Sequence, residues 1–369
     1  MQRQQLFFKD GHQPSTEQIE DHLSHPDCPL NKIIVSADNE GNMEILNLFA
    51  HTAFKLQNHS CRGMSFAIYS SAGQGKTHIV RNFAATIGIP FVFVQSDALV
   101  DNSHLLNQII TAFADTSTPI VEYPPDHFTI PPCFVFLDEI HALNPRVMDG
   151  LLNAMEFNDG HMRITIGKKS KARTVVVNCR EICWVGATTE EGKLPGPFAS
   201  RLETSIVWKP AGPEEIVEII RMHFPEFPEE ACQAVAKYRD VPRTAVAFAR
   251  LMQMSKSKSD CSWEEAADTI AKNMDLDEYG MQKRQVEVLT ALGQRPISKS
   301  TLSLAVKCNI EALEKVVLPP LMESLGGGPL IVPTRKGYAL TKIGLAELDK
   351  RHISHKGERV TVEYIEGAD

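Results

Sequence analysis

The stretch Phe66-Ala67-Ile68-Tyr69-Ser70-Ser71-Ala72-Gly73-Gln74-Gly75-Lys76-Thr77 decides how this chain is read. An apolar run over 66–69 stops at a loop of small residues, and Lys76-Thr77 opens a segment of helical character over 77–87. Strand, glycine-containing loop and helix, in that order, is the setting in which the pattern G-x-x-x-x-G-K-[ST] binds phosphate. Small side chains let successive backbone N–H groups turn inward around an anion, and the positive end of the helix adds to the attraction. Lys76 is then placed to reach the β- and γ-phosphates, and Thr77 to offer its hydroxyl to Mg2+. The candidate nucleotide contacts in this stretch are Ser71, Ala72, Gly73, Gln74, Gly75, Lys76, Thr77 and His78. One position departs from the pattern: Ser70 stands where the first glycine belongs, so that turn is made without glycine's freedom at positive φ. Taken alone, the stretch also reads as an ordinary strand–helix turn, so the remaining parts of the chain decide.

At 369 residues the chain is long enough for two or three domains of roughly 100–200 residues each. Its hydrophobic fraction of 43% and charged fraction of 23% are those of a soluble globular protein. No run approaches the ~18 apolar residues of a membrane span, and Met1-Gln2-Arg3-Gln4-Gln5 lacks the apolar core of a secretory signal. The expected location is cytoplasmic. The eight cysteines are scattered singly with no C-x-x-C pair, which suits buried free thiols in a reducing compartment. His22, His25 and Cys28 lie close together, but no fourth ligand follows at zinc-like spacing. A net charge of −8 excludes a globally basic nucleic-acid binder and leaves local basic patches as the only electrostatic route to DNA.

In chain order, a polar, proline-punctuated extension over 1–30 precedes a segment of helical spacing over 42–56. After the phosphate-loop candidate come an apolar run over 90–94, a helical segment over 103–114 and a proline-rich insert over 115–132, read as a surface loop. Next stands Cys133-Phe134-Val135-Phe136-Leu137-Asp138-Glu139-Ile140-His141. A buried run ending in two carboxylates suits a central parallel strand whose carboxyl end faces a ligand. Downstream of Gly-Lys-Thr, Asp138 is placed to hold Mg2+ through its water shell and Glu139 to polarise an attacking water. Residues 144–157 read as a helix, and 162–166 and 174–177 as strands joined by the basic tip 167–173. A further buried strand, 182–189, ends in hydroxyls; Pro197-Phe198-Ala199-Ser200-Arg201 and a strand over 205–208 follow. Residues 212–275 read as helical.

Residues 276–350 change pattern. Helices over 282–292 and 300–308 lead to a longer one over 309–325 that Pro319-Pro320 should kink or split. After Gly326-Gly327-Gly328, two short strands flank Arg335-Lys336. Three helices and a two-stranded wing fit a winged helix, a variant of helix-turn-helix, and equally a generic small α+β domain. The fold expected is therefore an α/β P-loop core, a parallel sheet flanked by helices, with an all-α lid and a C-terminal winged-helix domain. The divisions are 1–30 extension, 31–210 core, 211–275 lid, 276–350 winged helix and 351–369 acidic tail.

With these parts in this order the chain resembles the RuvB family of AAA+ ATPases, the motors of Holliday-junction branch migration. The resemblance spans about 33–348 and is carried by Leu137-Asp138-Glu139-Ile140-His141, Gly186-Ala187-Thr188-Thr189, Val241-Pro242-Arg243, Leu276-Asp277-Glu278 and Thr334-Arg335-Lys336-Gly337. It implies ATP and Mg2+ as cofactors. It makes Lys76 and Thr77 the Walker A pair, Asp138 and Glu139 the Walker B pair, and Thr189 the sensor of the γ-phosphate. Arg201 corresponds to the arginine finger that completes a neighbouring subunit's site, and Arg243 to the lid residue reporting nucleotide state. Catalytic roles thus fall on Lys76, Glu139, Thr189, Arg201 and Arg243, metal contacts on Thr77 and Asp138, and Asp138 and Arg243 join the nucleotide contacts. Arg335 and Lys336 correspond to the basic wing tip, where cations pair with phosphates without reading sequence.

Two further departures stand out: Leu202-Glu203 follows Arg201 where the family has Phe-Gly, and the tip over 167–173 is basic where the family's apolar hairpin grips RuvA. The partners implied are duplex or branched DNA, further copies in a hexameric ring, and a RuvA-like or different protein; no membrane is expected. Two other functions remain open on the residues alone: a clamp-loader-like or protein-remodelling ATPase, and a nucleotide-dependent switch without turnover.

Overall fold

The computed structural model describes residues 63–113, 121–123, 126–156, 159–166, 173–194, 196–258, 261–322 and 329–355. The extension over 1–30, the helix read over 42–56, the basic tip over 167–172 and the tail beyond residue 355 lie outside the described residues. The chain divides into two compact units at Lys209/Pro210.

The first unit is built on β1 (Ser65–Tyr69), whose five residues are all buried. Five strands form one all-parallel sheet in the order β2 (Phe91–Gln95), β5 (Cys133–Asp138), β8 (Ile182–Thr188), β1, β9 (Thr204–Val207). Parallel strands covered on both faces read as unbroken apolar runs, which is why β1, β5 and β8 were visible in the sequence. From β1 the chain crosses to the far edge at β2, steps back through β5 and β8, and finishes beyond β1 at β9. The direction of progress therefore reverses beside β1, and such switch points place ligands at the carboxyl ends of the strands. Tyr69 pairs with Thr188 and Leu137 with Gly186, so β1, β8 and β5 end level with one another.

Helix α1 (Lys76–Ile87) follows β1 and buries Ile79, Val80, Phe83 and Ala84 against the sheet. Phe83 meets Phe134 edge-on, with ring centroids 5.9 Å apart. After β2 comes α2 (Asn102–Phe113), and after β5 comes α3 (Pro145–Ala154). The side chain of Asn144 caps α3 by accepting from the Arg146 N–H, and Pro145 occupies the first helical position, where its missing N–H costs nothing. The short α4 (Gly196–Ala199) lies between β8 and β9.

A second sheet corrects the reading of 115–132 as loop. It has the order β3 (Val121–Tyr123), β4 (His127–Thr129), β7 (Arg173–Asn178), β6 (His161–Ile166). Strands β6 and β7 form the antiparallel pair expected. β3 and β4 are three residues each, flanked by Pro119, Pro124-Pro125 and Pro131-Pro132, too short to display alternation. β4 is fixed by parallel pairing to β7, a partner far away in sequence. Local signals cannot report such a contact.

The second unit has two separate apolar clusters. One lies among α5 (Pro213–His223), α6 (Glu229–Tyr238), α7 (Pro242–Lys256) and α8 (Trp263–Asn273), and includes Ile216, Ile220, Val235, Phe248 and Met252. The other lies among α9 (Lys283–Leu292), α10 (Lys299–Ala305), a third helical segment, the hairpin β10 (Ile331–Thr334)–β11 (Gly337–Leu340) and α13 (Lys342–Lys350). That third segment runs as α11 (Ile310–Ala312), a π turn (Leu313–Val317) and α12 (Leu318–Met322). Pro319 and Pro320 supply no N–H to the carbonyls one turn back, and the wider turn lies directly before them, so the expected break takes the form of a π turn. Asp277 ties the two stretches of this unit: its Oδ1 accepts from the Tyr279 and Met281 N–H groups at 3.0 and 2.8 Å, and its Oδ2 accepts from Arg351 Nε at 2.6 Å.

Candidate nucleotide-binding site

The loop after β1 takes its positive φ values at Gly73 (84°) and Gly75 (91°), and not at Ser70. This explains the serine: its position does not demand glycine's freedom, while the two later positions do. The Ser70 N–H donates to Thr188 O at 3.3 Å, joining the loop to β8, and Ser70 Oγ is buried with no hydrogen-bond partner. Helix α1 begins at Lys76 with no side-chain cap and no acidic residue in its first turn. An N-terminus without a capping side chain or a first-turn acid presents its positive dipole end, an arrangement that suits an anion. Lys76 is 7% exposed, and its Nζ donates to Ser70 O at 2.6 Å and Ser71 O at 3.2 Å, which holds the ammonium inside the loop. The loop therefore fits a phosphate: a helix N-terminus and a buried cation meet there. Thr77 is half-buried at the same edge and His78 is exposed.

At the end of β5, Asp138 is half-buried after five fully buried residues. Glu139 follows with φ 47° and ψ 54°, the left-handed region, which costs a non-glycine residue about 1–2 kcal/mol. Such strain is characteristic of functional positions. The turn brings the carboxylate to the end of β8, where Glu139 Oε2 accepts from Thr189 N at 3.4 Å and from Thr189 Oγ1 at 3.3 Å.

Three residues beyond those expected complete the cluster. His141 Nδ1 lies 2.8 Å from Thr188 Oγ1 and 3.3 Å from Glu139 Oε2, and its Nε2 lies 3.4 Å from Glu190 Oε1. The Glu190 N–H donates to Thr188 Oγ1 at 3.0 Å. Glu190 is held below the usual carboxylate range, first by its hydrogen bond from Lys193 and further by the charges of Lys193 and His141. The sequence shows His141 and Thr188 inside the runs 137–141 and 186–189 but gives neither a role; Glu190 follows directly, and all three gain meaning only once β5 and β8 pair.

Lys76, Thr77, Asp138, Glu139 and Thr189 thus share the carboxyl edge of one sheet. Arg201, half-buried after α4, bonds within the same unit: Nε donates to Glu156 Oε2 at 3.1 Å and Nη1 to Pro197 O at 3.0 Å. Arg243 is exposed in the first turn of α7, and Arg335 and Lys336 are exposed at the β10–β11 turn; all three belong to the second unit. In that hairpin Gly337 has φ 121°, and a Cβ there would lie 2.1 Å from Ile297 O. The backbone must pass that close because Ile297 exchanges hydrogen bonds with Tyr338 at 3.1 and 2.9 Å.

The sequence model of the ATPase family associated with various cellular activities (AAA) matches residues 66–209, which hold the whole parallel sheet from its second strand residue onward. Over residues 66–209 the chain is similar to AAA ATPases, and over most of its length it is similar to RuvB. It is 24% identical over 330 residues to the Holliday junction branch migration complex subunit RuvB of Paracoccus denitrificans, covering 86% of this chain and 88% of that protein. With the corresponding subunit of Methanoregula boonei it shares 26% over 268 residues, or 68% of this chain and 78% of that one. The solved Thermotoga maritima RuvB, described as a Holliday junction branch migration motor, superposes with a TM-score of 0.60 at 19% identity, covering 84% of this chain and 94% of that one. That likeness supports the fold. Among the described residues of this RuvB-like chain, no helix is long and apolar enough to cross a membrane.

Proposed function

We propose that this chain is an ATP-driven DNA motor that assembles as a hexameric ring, translocates duplex DNA and migrates Holliday junctions in the cytoplasm. The observation that carries the proposal is the meeting of Lys76, Asp138, Glu139 and Thr189 at one sheet edge, in a chain resembling RuvB over most of its length. ATP would supply the transferable phosphoryl group, and Mg2+, when bound, would offset its negative charge. The amides over 71–77 and the α1 N-terminus hold the phosphates, and Lys76 leaves the loop carbonyls to pair with them. Thr77 and Asp138 would hold the metal. Glu139 orients and polarises the attacking water, with Thr189 steering its carboxylate. Arg201 acts on the neighbouring copy's site and Arg243 reports from the second unit, each adding charge where the transition state develops it.

DNA contact falls to the wing. The third helical segment exposes Glu311 and Glu314, paired with Lys315 and Lys299, and so offers phosphates no surplus of positive charge. Arg335 and Lys336 do, at an exposed turn. A RuvA-like or other protein partner would meet the β6–β7 hairpin, whose tip is basic in sequence.

The test is ATP hydrolysis by the purified chain with and without four-way-junction DNA, with Lys76→Ala as control, followed by a junction-dissociation assay. Hydrolysis that rises with DNA and vanishes in the variant supports the motor. Hydrolysis indifferent to DNA turns the reading toward a protein-remodelling ATPase.

A further inference from the structure

Arg201 is a tethered cation. Of its two hydrogen bonds, the one from Nη1 to Pro197 O stays within its own short stretch, four residues back. The bond from Nε to Glu156 Oε2, at 3.1 Å, reaches 45 residues away to the segment just after α3. Glu156 is therefore the contact that fixes the guanidinium relative to the sheet. Both side chains are partly open to solvent, 31% for Arg201 and 44% for Glu156, so the pair sits where another copy can approach. A guanidinium carries five N–H donors, more than these two bonds use, and the remainder can meet a phosphate without releasing Glu156. A long, flexible arginine must lose its rotamer freedom before it can act on a neighbour's transition state, and a residue that has already ordered it removes that cost.

From this geometry we infer that Glu156 is a positioning residue for Arg201, holding the guanidinium toward the nucleotide site of the adjacent copy. Its loss is felt in the neighbour's site and not in its own. The inference rests on the proposed trans action of Arg201.

The experiment uses the full chain and steady-state ATP hydrolysis. Glu156→Ala should lower kcat about tenfold, as misplacement of a catalytic group does, and leave KM within about twofold. Glu156→Gln, which keeps an acceptor without the charge, should fall between Glu156→Ala and the unaltered chain. Glu156→Ala combined with Arg201→Ala should lose no more than Arg201→Ala alone. Mixing separates position from fold. Lys76→Ala subunits have a dead site and an intact Arg201, so mixing them with Arg201→Ala subunits should restore hydrolysis above the sum of the two. The same partner should rescue Glu156→Ala and Glu156→Gln subunits, which a merely structural defect would not permit. If the Arg201→Ala mixture recovers and the Glu156 mixtures do not, or if both Glu156 variants keep full kcat, this inference is overturned and trans action survives. If the Arg201→Ala mixture fails to recover, trans action falls and the inference with it.

Discussion

Glu139 Oε2 receives both the backbone N–H and the hydroxyl of Thr189, so the acid just after β5 is held by the residue just after β8. A general base needs its carboxylate placed within hydrogen-bond reach of the water it activates. Glu139→Gln keeps the shape and removes the basicity. ATP binding should stay within a few-fold, and hydrolysis should fall about 10²- to 10⁴-fold. Thr189→Val keeps the volume and removes only the hydroxyl contact, and should cost about tenfold, the equivalent of one hydrogen bond. Fluorescent-nucleotide titration and phosphate release measure the two quantities separately. Equal loss of binding and turnover in Glu139→Gln would contradict the assignment.

Ser70 lies outside the positive-φ positions of its loop, so the glycine that the pattern prescribes there has no conformational work to do. Ser70→Gly should leave nucleotide affinity within about twofold and lower stability by roughly 0.5–1 kcal/mol through the freer unfolded chain. Calorimetric nucleotide titration and urea unfolding test both halves. A gain in affinity of tenfold would mean that the buried Ser70 Oγ hinders the loop.

What the sequence displayed were features whose cause is local. The loop, the apolar runs of β1, β5 and β8, and the Asn144-Pro145 start of α3 each depend on neighbours a few residues away. Thus 144–157 was visible as a helix, although the structure ends it at Ala154. The short β3 and β4, the partners of His141 and the Glu156–Arg201 bond depend instead on pairings made only after folding. Asp277 illustrates the boundary. It stood out as part of Leu276-Asp277-Glu278, but its work, capping a turn and anchoring Arg351, could not be read without the fold.

Cys133 and Cys179 are fully buried, and burial raises both thiols, Cys179 to about 12 and Cys133 further, with Cys179's own charge contributing to the shift at Cys133. At pH 7–8 both are neutral and inert to alkylation, whereas the partly exposed Cys261 and Cys308 should label first among the six described cysteines. The sign of the pH effect follows. Below the unfolded thiol value near 9 both states hold the proton and stability is unaffected. Above it the unfolded chain ionises while the folded one does not, so stability falls, approaching about 1.4 kcal/mol per pH unit per thiol. Urea midpoints between pH 8 and 10.5 should decline less steeply in Cys133→Ala/Cys179→Ala than in the unaltered chain. Parallel slopes would refute the burial argument.

The β10–β11 hairpin separates charge from shape. Arg335 and Lys336 are exposed, so replacing either by alanine should leave the melting temperature unchanged. Each replacement should weaken DNA binding equally across sequences and reduce the slope of log K against log salt by about 0.9, the release of one phosphate's counterions. Gly337→Ala keeps both charges but sets a Cβ 2.1 Å from Ile297 O at φ 121°, forcing the hairpin to deform. It should therefore lower stability and displace the two cations together, weakening binding even though no charge is lost. Fluorescence anisotropy on duplexes of unrelated sequence, at several salt concentrations, distinguishes these outcomes. Sequence-dependent losses in Arg335→Ala would show that this side chain reads bases, and an unchanged salt slope in both alanine variants would move the proposed DNA contact off the β10–β11 hairpin.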